Sequence, residues 1–308
     1  MAGEHLQQSA RARIYRGSIL GLSSSGLAAC SGGILDPLGP VGAGNATILV
    51  NSTVIMLAIV VPTIILALWV AWHFRASNPK AEYLPYWSYS GRIEAVVWSI
   101  PTLTILFISG LIWIGTHRLD PFRPLSADVP PLEVQVISLD WKWLFIYPEQ
   151  RIATINRLVL PAETPVRFSI TSASVFNAFF VPRLGSMIYA MPAMVSQLHL
   201  QADEAAEIWG ISAQFSGDGF TDMQFGVQSM PTDEFEAWTA SVRSSGPALD
   251  EPTYVQLMQQ TLDVPPMTYR AVDPELFQRV VTQKIPPGPG PTLDNERHAG
   301  REMPAGRN

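Results

Sequence analysis

The chain has 308 residues, enough for one medium domain beside any membrane segment, and a formal net charge of -6, which leaves no basic footprint for nucleic acid. A single cysteine, Cys30, excludes an intramolecular disulfide and any site built from two thiolates within this chain. The five histidines (His5, His73, His117, His199 and His298) are scattered without metal-ligand spacing. His199 alternates with Leu198 and Leu200 in an expected strand and reads as a structural or surface residue.

In chain order, Arg11, Arg13 and Arg16 precede a short apolar segment from Ile19 to Leu27 and the tetrapeptide Leu27-Ala28-Ala29-Cys30. A basic segment, an apolar segment and small residues before a cut site describe a secretory leader over 1–29. The tetrapeptide resembles the bacterial lipoprotein box, which implies lipidation of Cys30 and a tether on the outer side of the inner membrane over 30–47. Two apolar stretches follow, Ile48 to Phe74 and Ala95 to Thr116. No Asp, Glu, Lys or Arg lies between Asp36 and Arg75 or between Glu94 and Arg118. Each stretch supplies the roughly 20 apolar residues that cross a bilayer as a helix. Trp69, Trp72, Trp98 and Trp113 stand near the boundaries, where amphipathic rings suit the headgroup level. The expected spans are 48–74 and 93–116. Between them, the 75–92 loop carries Arg75, Lys80 and Arg92 against Glu82, a positive bias that suits the cytoplasmic side. Two crossings return the chain to its starting side, so everything after Thr116 is expected in the periplasm.

From Leu132 the period changes to two: Leu132/Val134/Val136, Val166/Phe168/Ile170 and Met223/Phe225/Val227 alternate with polar or small residues, separated by Pro, Gly and Ser. This predicts an all-β domain within 117–231, its strands between about Pro131 and Met230. A helical extension is expected over 232–284. Thr232 is its candidate cap, Phe235 and Trp238 share a face, and weaker helices are expected at Pro252–Leu262 and Pro274–Lys284. The Pro/Gly-rich and then polar segment 285–308 reads as disordered.

A two-helix hairpin carrying such a β domain resembles subunit II of the haem-copper terminal oxidases. The resemblance is carried by Arg92-Ile93-Glu94-Ala95-Val96-Val97-Trp98, by Asp140-Trp141-Lys142-Trp143-Leu144-Phe145-Ile146-Tyr147-Pro148, and by Phe180-Val181-Pro182-Arg183-Leu184-Gly185-Ser186. It implies a cupredoxin-like fold. In the cytochrome c oxidase branch that fold holds a binuclear copper centre on a loop reading Cys-x-Glu-x-Cys-x-x-x-His-x-x-Met, with a further His upstream. Here the matching positions are Ser212, Gln214, Ser216, Phe220 and Met223, with Asn177 at the upstream His. Only Met223 is retained, and a lone thioether cannot hold a copper pair. Phe220 is expected to repack the loop as core.

This pattern resembles the quinol oxidases of the cytochrome bo type. It implies a complex that oxidises ubiquinol, reduces oxygen to water and pumps protons. Haems and one copper are then expected in subunit I, no cofactor in this chain, and no docking of cytochrome c. The implied partners are subunit I, smaller membrane subunits and the bilayer. An acidic residue at the position of Glu94 is implied at the entrance of a proton channel; local physics reads it equally as a dipole-stabilised helix-start carboxylate. Trp141 and Trp143 read as packing or docking groups, and Met187, Met191 and Met194 as a packing surface. The rival readings are a stand-alone membrane-anchored lipoprotein module and a copper-bearing cytochrome c oxidase subunit II.

Overall fold

A computed structural model describes residues 33–127 and 129–290 of the chain. Two helices lead, α1 (Pro40–His73) and α2 (Gly91–Arg118), packed against each other with apolar side chains turned outward over most of their length. Both are long and apolar enough to cross a membrane. Thr47, Thr53, Thr63, Thr102, Thr104 and Thr116 each donate to the carbonyl one turn back, which satisfies these hydroxyl hydrogens within the helix where lipid could not. Pro62 and Pro101 lie within the helices.

Helix α1 begins two turns before the apolar run at Ile48. Its 34 residues span about 51 Å, well beyond the roughly 30 Å of hydrocarbon. The surplus turns are part of the junction with the β domain, where Val41 and Gly42 are buried. Leu38 N–H donates to Arg183 O (2.8 Å), Asp203 N–H to Leu38 O (2.8 Å), and Arg183 pairs with Asp36 at 2.9 Å. A Cβ on Gly39 would fall 1.9 Å from the Gln201 carbonyl oxygen, so glycine is required for this approach. The segment expected as a tether is therefore docked on the domain from Asp36 onward. Cys30 and the expected leader over 1–29 lie outside the described residues.

The domain is a sandwich of β1 (Leu132–Leu139), β2 (Lys142–Tyr147), β3 (Ile152–Ile155), β4 (Arg157–Pro161), β5 (Val166–Ser172), β6 (Asn177–Phe180), β7 (Ile188–Ala190), β8 (Ser196–Leu200), β9 (Ala206–Ser212) and β10 (Gln224–Met230). One sheet runs β3-β2-β1-β5-β8 and the other β4-β10-β9-β6-β7. The pairs β1/β5 and β10/β4 are parallel and the rest antiparallel, as when strands cross between sheets. Alternate residues of the two inner faces fill the core: Val134, Val136, Phe168, Phe179 and Phe225 surround Trp143 and Phe145.

The extension opens with α3 (Thr232–Ser244), which buries Phe235, Thr239 and Val242 and sets Phe235 and Trp238 against Tyr147. Pro231 rather than Thr232 occupies the cap position, and no side chain caps this helix. Pro231 already has the extended backbone that a cap requires, so Thr232 becomes the first helical residue. Beyond it come β11 (Ala248–Leu249), α4 (Glu251–Leu257), β12 (Met267–Tyr269), β13 (Ala271–Val272) and α5 (Leu276–Val281). The helices are shorter than expected, and three short strands were not anticipated. Strand β12 joins the edge of the first sheet beside β3. Asp250 caps α4 by accepting from Thr253 N–H at 3.0 Å, and Arg279 ties α5 to Glu251 and Asp273.

This extension covers the outer face of the first sheet. Ile137, Leu139, Leu144, Ile146 and Ile155 pack there against Tyr254, Met258, Leu276, Phe277 and Val280. Strand β2 is thus buried on both faces, which explains why Leu144-Phe145-Ile146-Tyr147 shows no alternation. The segment expected to be disordered also contributes, at least as far as Gly290. In Pro286-Pro287-Gly288-Pro289-Gly290 only the glycines carry an N–H; Gly288 donates to Ala173 O and Gly290 to Asp140 Oδ2, each at 2.8 Å. Residues 291–308 lie outside the described part.

Candidate functional site

The loops at one end of the sandwich gather every position of the expected copper motif. Ser212 closes β9 and Asn177 opens β6, both facing the last turn of β1. The Ser212 hydroxyl donates to Asn177 Oδ1 (2.7 Å), and Asn177 Nδ2 donates to the Ser138 hydroxyl (2.7 Å). All three are buried. Within this chain of neutral groups each hydrogen bond satisfies a polar atom that would otherwise stand unpaired in the interior. Ser216 is buried as well; its carbonyl accepts from Trp141 Nε1 at 3.2 Å while its hydroxyl has no partner. Met223 is buried in the core, and its carbonyl accepts from Ser212 N–H at 3.1 Å.

The two remaining positions face outward. Gln214 is exposed, and Phe220, in a short 3-10 turn (Phe220–Asp222), is only half-buried, edge-on to the exposed Phe215 at 5.6 Å. The expectation that Phe220 repacks the loop as core is therefore corrected. Its ring packs on the outer side of the loop against Phe215, while Ser216 and Gly219 of the same loop are the residues turned inward toward Trp141. Two hydroxyls, two amides, a phenyl ring and one thioether do not make a copper site: thiolates and imidazoles are absent from every position that would need them. The donor set does not fit the group that this fold carries elsewhere.

Beside these positions lies a polar cluster that the sequence reading passed over. Asp140 and Trp141 form the turn between β1 and β2, with Trp141 in the left-handed region (φ 64°), a conformation costing roughly 1–2 kcal/mol for a non-glycine residue. Burial of its indole holds it there; a Cβ on Gly219 would meet that ring at 2.5 Å, so glycine is needed opposite. Asp140 accepts from the Ser174 hydroxyl and from Gly290 N–H. Lys142, buried on β2, donates to Gln259 O (2.7 Å) and Thr261 Oγ1 (2.6 Å), clasping the extension to the sandwich. The available signal was two opposite charges flanking Trp141 at the start of a fully apolar strand.

Burial pushes the Lys142 ammonium down from 10.5 to about 8, with the Asp140 carboxylate opposing part of that fall. Between pH 8 and 10 the unfolded chain then holds more protons at this position than the folded one, so stability rises with pH. Tyr147 and Tyr254 act in the opposite sense. Burial raises both phenols above their ordinary 10.0, so past that pH the unfolded chain loses protons that the folded chain keeps, and stability falls. From these groups the detergent-solubilised chain is expected to gain melting temperature between pH 8 and pH 10 and to lose it above pH 10. Lys142→Met should flatten the rise below that pH and leave the fall above it; a wild-type profile already flat from pH 8 to 10 would contradict the assignment.

Glu94 lies in the first turn of α2, far along the chain from the loop cluster and on the other side of the apolar stretch. It is exposed, and its Oε2 accepts from Trp98 Nε1 at 3.2 Å. His199 is buried, with Nδ1 3.0 Å from Pro121 O, which makes it the structural rather than the surface residue of its two expected readings. Met187 and Met194 are exposed around Tyr189, which packs on Phe176 at 4.6 Å.

Residues 146–230 match the family described as cytochrome C oxidase subunit II, periplasmic domain, and residues 243–288 match the COX aromatic rich motif. Fold, hairpin and matches define a subunit-II-type protein of the haem-copper oxidase class. The chain is 50% identical over 267 residues to ubiquinol oxidase subunit 2 of Acetobacter aceti, covering 85% of this chain and 86% of that one. It is 44% identical over 279 residues to cytochrome bo(3) ubiquinol oxidase subunit 2 of Pseudomonas aeruginosa, covering 91% and 84%. The chain belongs to the family of ubiquinol oxidase subunit 2.

Proposed function

We infer that the chain works as a copper-free subunit II of a membrane complex that oxidises ubiquinol, reduces oxygen to water and translocates protons. The observation that carries this reading is the buried Ser138–Asn177–Ser212 chain, which places neutral, mutually satisfied groups where an electron-accepting copper centre would need imidazole and thiolate. With no metal held in the domain, electrons from cytochrome c have no destination here, and quinol oxidation falls to subunit I, where haems and one copper are expected. The tasks left to this chain are to brace subunit I through α1 and α2 and to cover its outer face with the β domain. The exposed Met187/Tyr189/Met194 surface suits that contact, and smaller membrane subunits complete the assembly.

Glu94 is assigned to the cytoplasmic entrance of a proton path in subunit I. The helix start favours its charge, and the indole of Trp98 holds one carboxylate oxygen, leaving the other for water or a partner. Cys30 is assigned as the lipidated residue after removal of 1–29, anchoring the mature chain at the outer face of the bacterial inner membrane. A stand-alone lipoprotein module is not favoured, because family membership and the hairpin both call for a membrane partner.

The test is metal analysis and oxygen uptake on the complex purified through a tag on this chain. Haem with about one copper per complex, and oxidation of ubiquinol but not of reduced cytochrome c, is the expected result. Two further coppers with cytochrome c oxidation would overturn the reading of Asn177, Ser212 and Ser216, and a preparation without haem would return the stand-alone module.

A further inference from the structure

Where α1 and α2 meet the sandwich, two recesses adjoin. One, of about 280 Å³, is lined by Arg118, Asp120, Arg123, Ser186 and His199 among others. The other, of about 300 Å³, is an apolar furrow between the helices, walled by Gly44, Ile48, Leu111, Ile114 and Gly115. Arg118 and Leu119 line both, so the polar recess sits directly over the end of the furrow. The helices come together here through glycine: a Cβ on Gly115 would fall 2.5 Å from Ile48 Cδ1, and one on Gly44 2.8 Å from Leu119 Cδ2.

The depth of the site is set by the sequence. Arg118 is the first residue after Glu94 to carry a permanent charge, and Trp113 packs on His117 just before it (4.4 Å), marking the headgroup level. Neither Arg118 nor Arg123 makes an ion pair among the described residues. Among the described residues Asp120 is the one acid lining the recess, and its Oδ1 is engaged by Phe122 N–H at 3.0 Å. His199 is held through Nδ1 on Pro121 O. Among the described residues, two guanidiniums without an ion pair against one partly engaged carboxylate leave a net positive recess, opening at headgroup depth onto an apolar furrow.

We propose that this seam binds one anionic phospholipid, its phosphate held by Arg118 and Arg123 and an acyl chain laid in the furrow between α1 and α2. Planar guanidiniums match phosphate oxygens in pairs, and the apolar furrow accepts a hydrocarbon chain. A zwitterionic lipid brings its own cation to a recess that already carries excess positive charge; a lipid of net negative charge does not. The proposal requires that α1 and α2 cross the bilayer and is independent of the roles given to Glu94 and the copper-position loop.

The test is native mass spectrometry of the assembled complex in mild detergent, supplied with equal amounts of phosphatidylglycerol and phosphatidylcholine. One phosphatidylglycerol should be retained in preference, and Arg118→Gln and Arg123→Gln should each lower its retention about fivefold, the worth of a basic residue at an anionic membrane surface. Arg92→Gln, at the far end of α2, should leave it unchanged. Equal retention of the two lipids, or indifference to both substitutions, would overturn the proposal. Displacement by excess inorganic phosphate would overturn it in favour of a simple anion site. Quinol-dependent oxygen uptake by the same samples should persist, which separates failure of the lipid site from failure of the functional reading.

Discussion

Glu94→Gln is expected to slow ubiquinol-dependent oxygen uptake of the assembled complex about tenfold while haem content and subunit composition stay normal. A positioned proton-transferring side chain contributes 10²- to 10⁴-fold where nothing replaces it; an entrance group within reach of water is partly bypassed, which sets the smaller figure. The substitution keeps size and hydrogen-bonding capacity, so the Trp98 indole, now 3.2 Å from Oε2, keeps an acceptor and the first turn of α2 keeps its shape. What is lost is the charge and the exchangeable proton. Helix stabilisation alone accounts for a loss of about 0.3–1 kcal/mol in stability and none in turnover, because the dipole effect of a first-turn acid acts only on the fold. Normal oxygen uptake at normal assembly would remove Glu94 from the proton path. Glu94→Asp, which retains the proton on a shorter arm, should recover part of the rate.

The hairpin was legible because a bilayer imposes its requirement residue by residue: a charge-free run of the right length says most of what matters. The residue types at the copper-motif positions were legible for a related reason, since metal chemistry resides in side-chain identity and Ser212, Ser216, Asn177 and Phe220 can be read one at a time. What escaped were features whose partners lie far away in the chain. Lys142 is clasped by groups 117 and 119 residues later, and Asp140 by Gly290, 150 residues later. Strand β12 has only three residues, too few to show a period, and exists because β3 offers it an edge. The Pro/Gly segment after Ile285 has the composition of a disordered tail, yet its two N–H groups find acceptors that composition does not reveal. Phe220 shows the opposite failure: an aromatic residue at a copper-motif position suggested core, whereas its ring is only half-buried and the loop turns Ser216 and Gly219 inward instead.

Trp143→Ala is expected to destabilise the β domain by about 3–5 kcal/mol, the range for removing a fully buried large aromatic side chain. Trp143 is at the centre of the inner layer, edge-on to Phe179 at 5.4 Å and to Phe225 at 5.8 Å, and its backbone N–H is fixed by Asn156 Oδ1 at 2.8 Å. The rings around it are held by both sheets and cannot close the space that alanine leaves. Trp143→Phe should behave very differently. The indole Nε1 is buried without a partner among the described residues, so phenylalanine removes an unsatisfied donor while opening a small cavity, and these terms, about 1 kcal/mol or more each, oppose one another. The pair of variants separates packing from electron transfer at this position. If the indole serves packing alone, Trp143→Phe keeps both thermal stability and the rate of quinol oxidation per assembled complex, while Trp143→Ala lowers the melting temperature and yield of complex. A Trp143→Phe complex that assembles normally yet oxidises quinol slowly would instead mean that the indole takes part in the chemistry, against the copper-free reading of this domain.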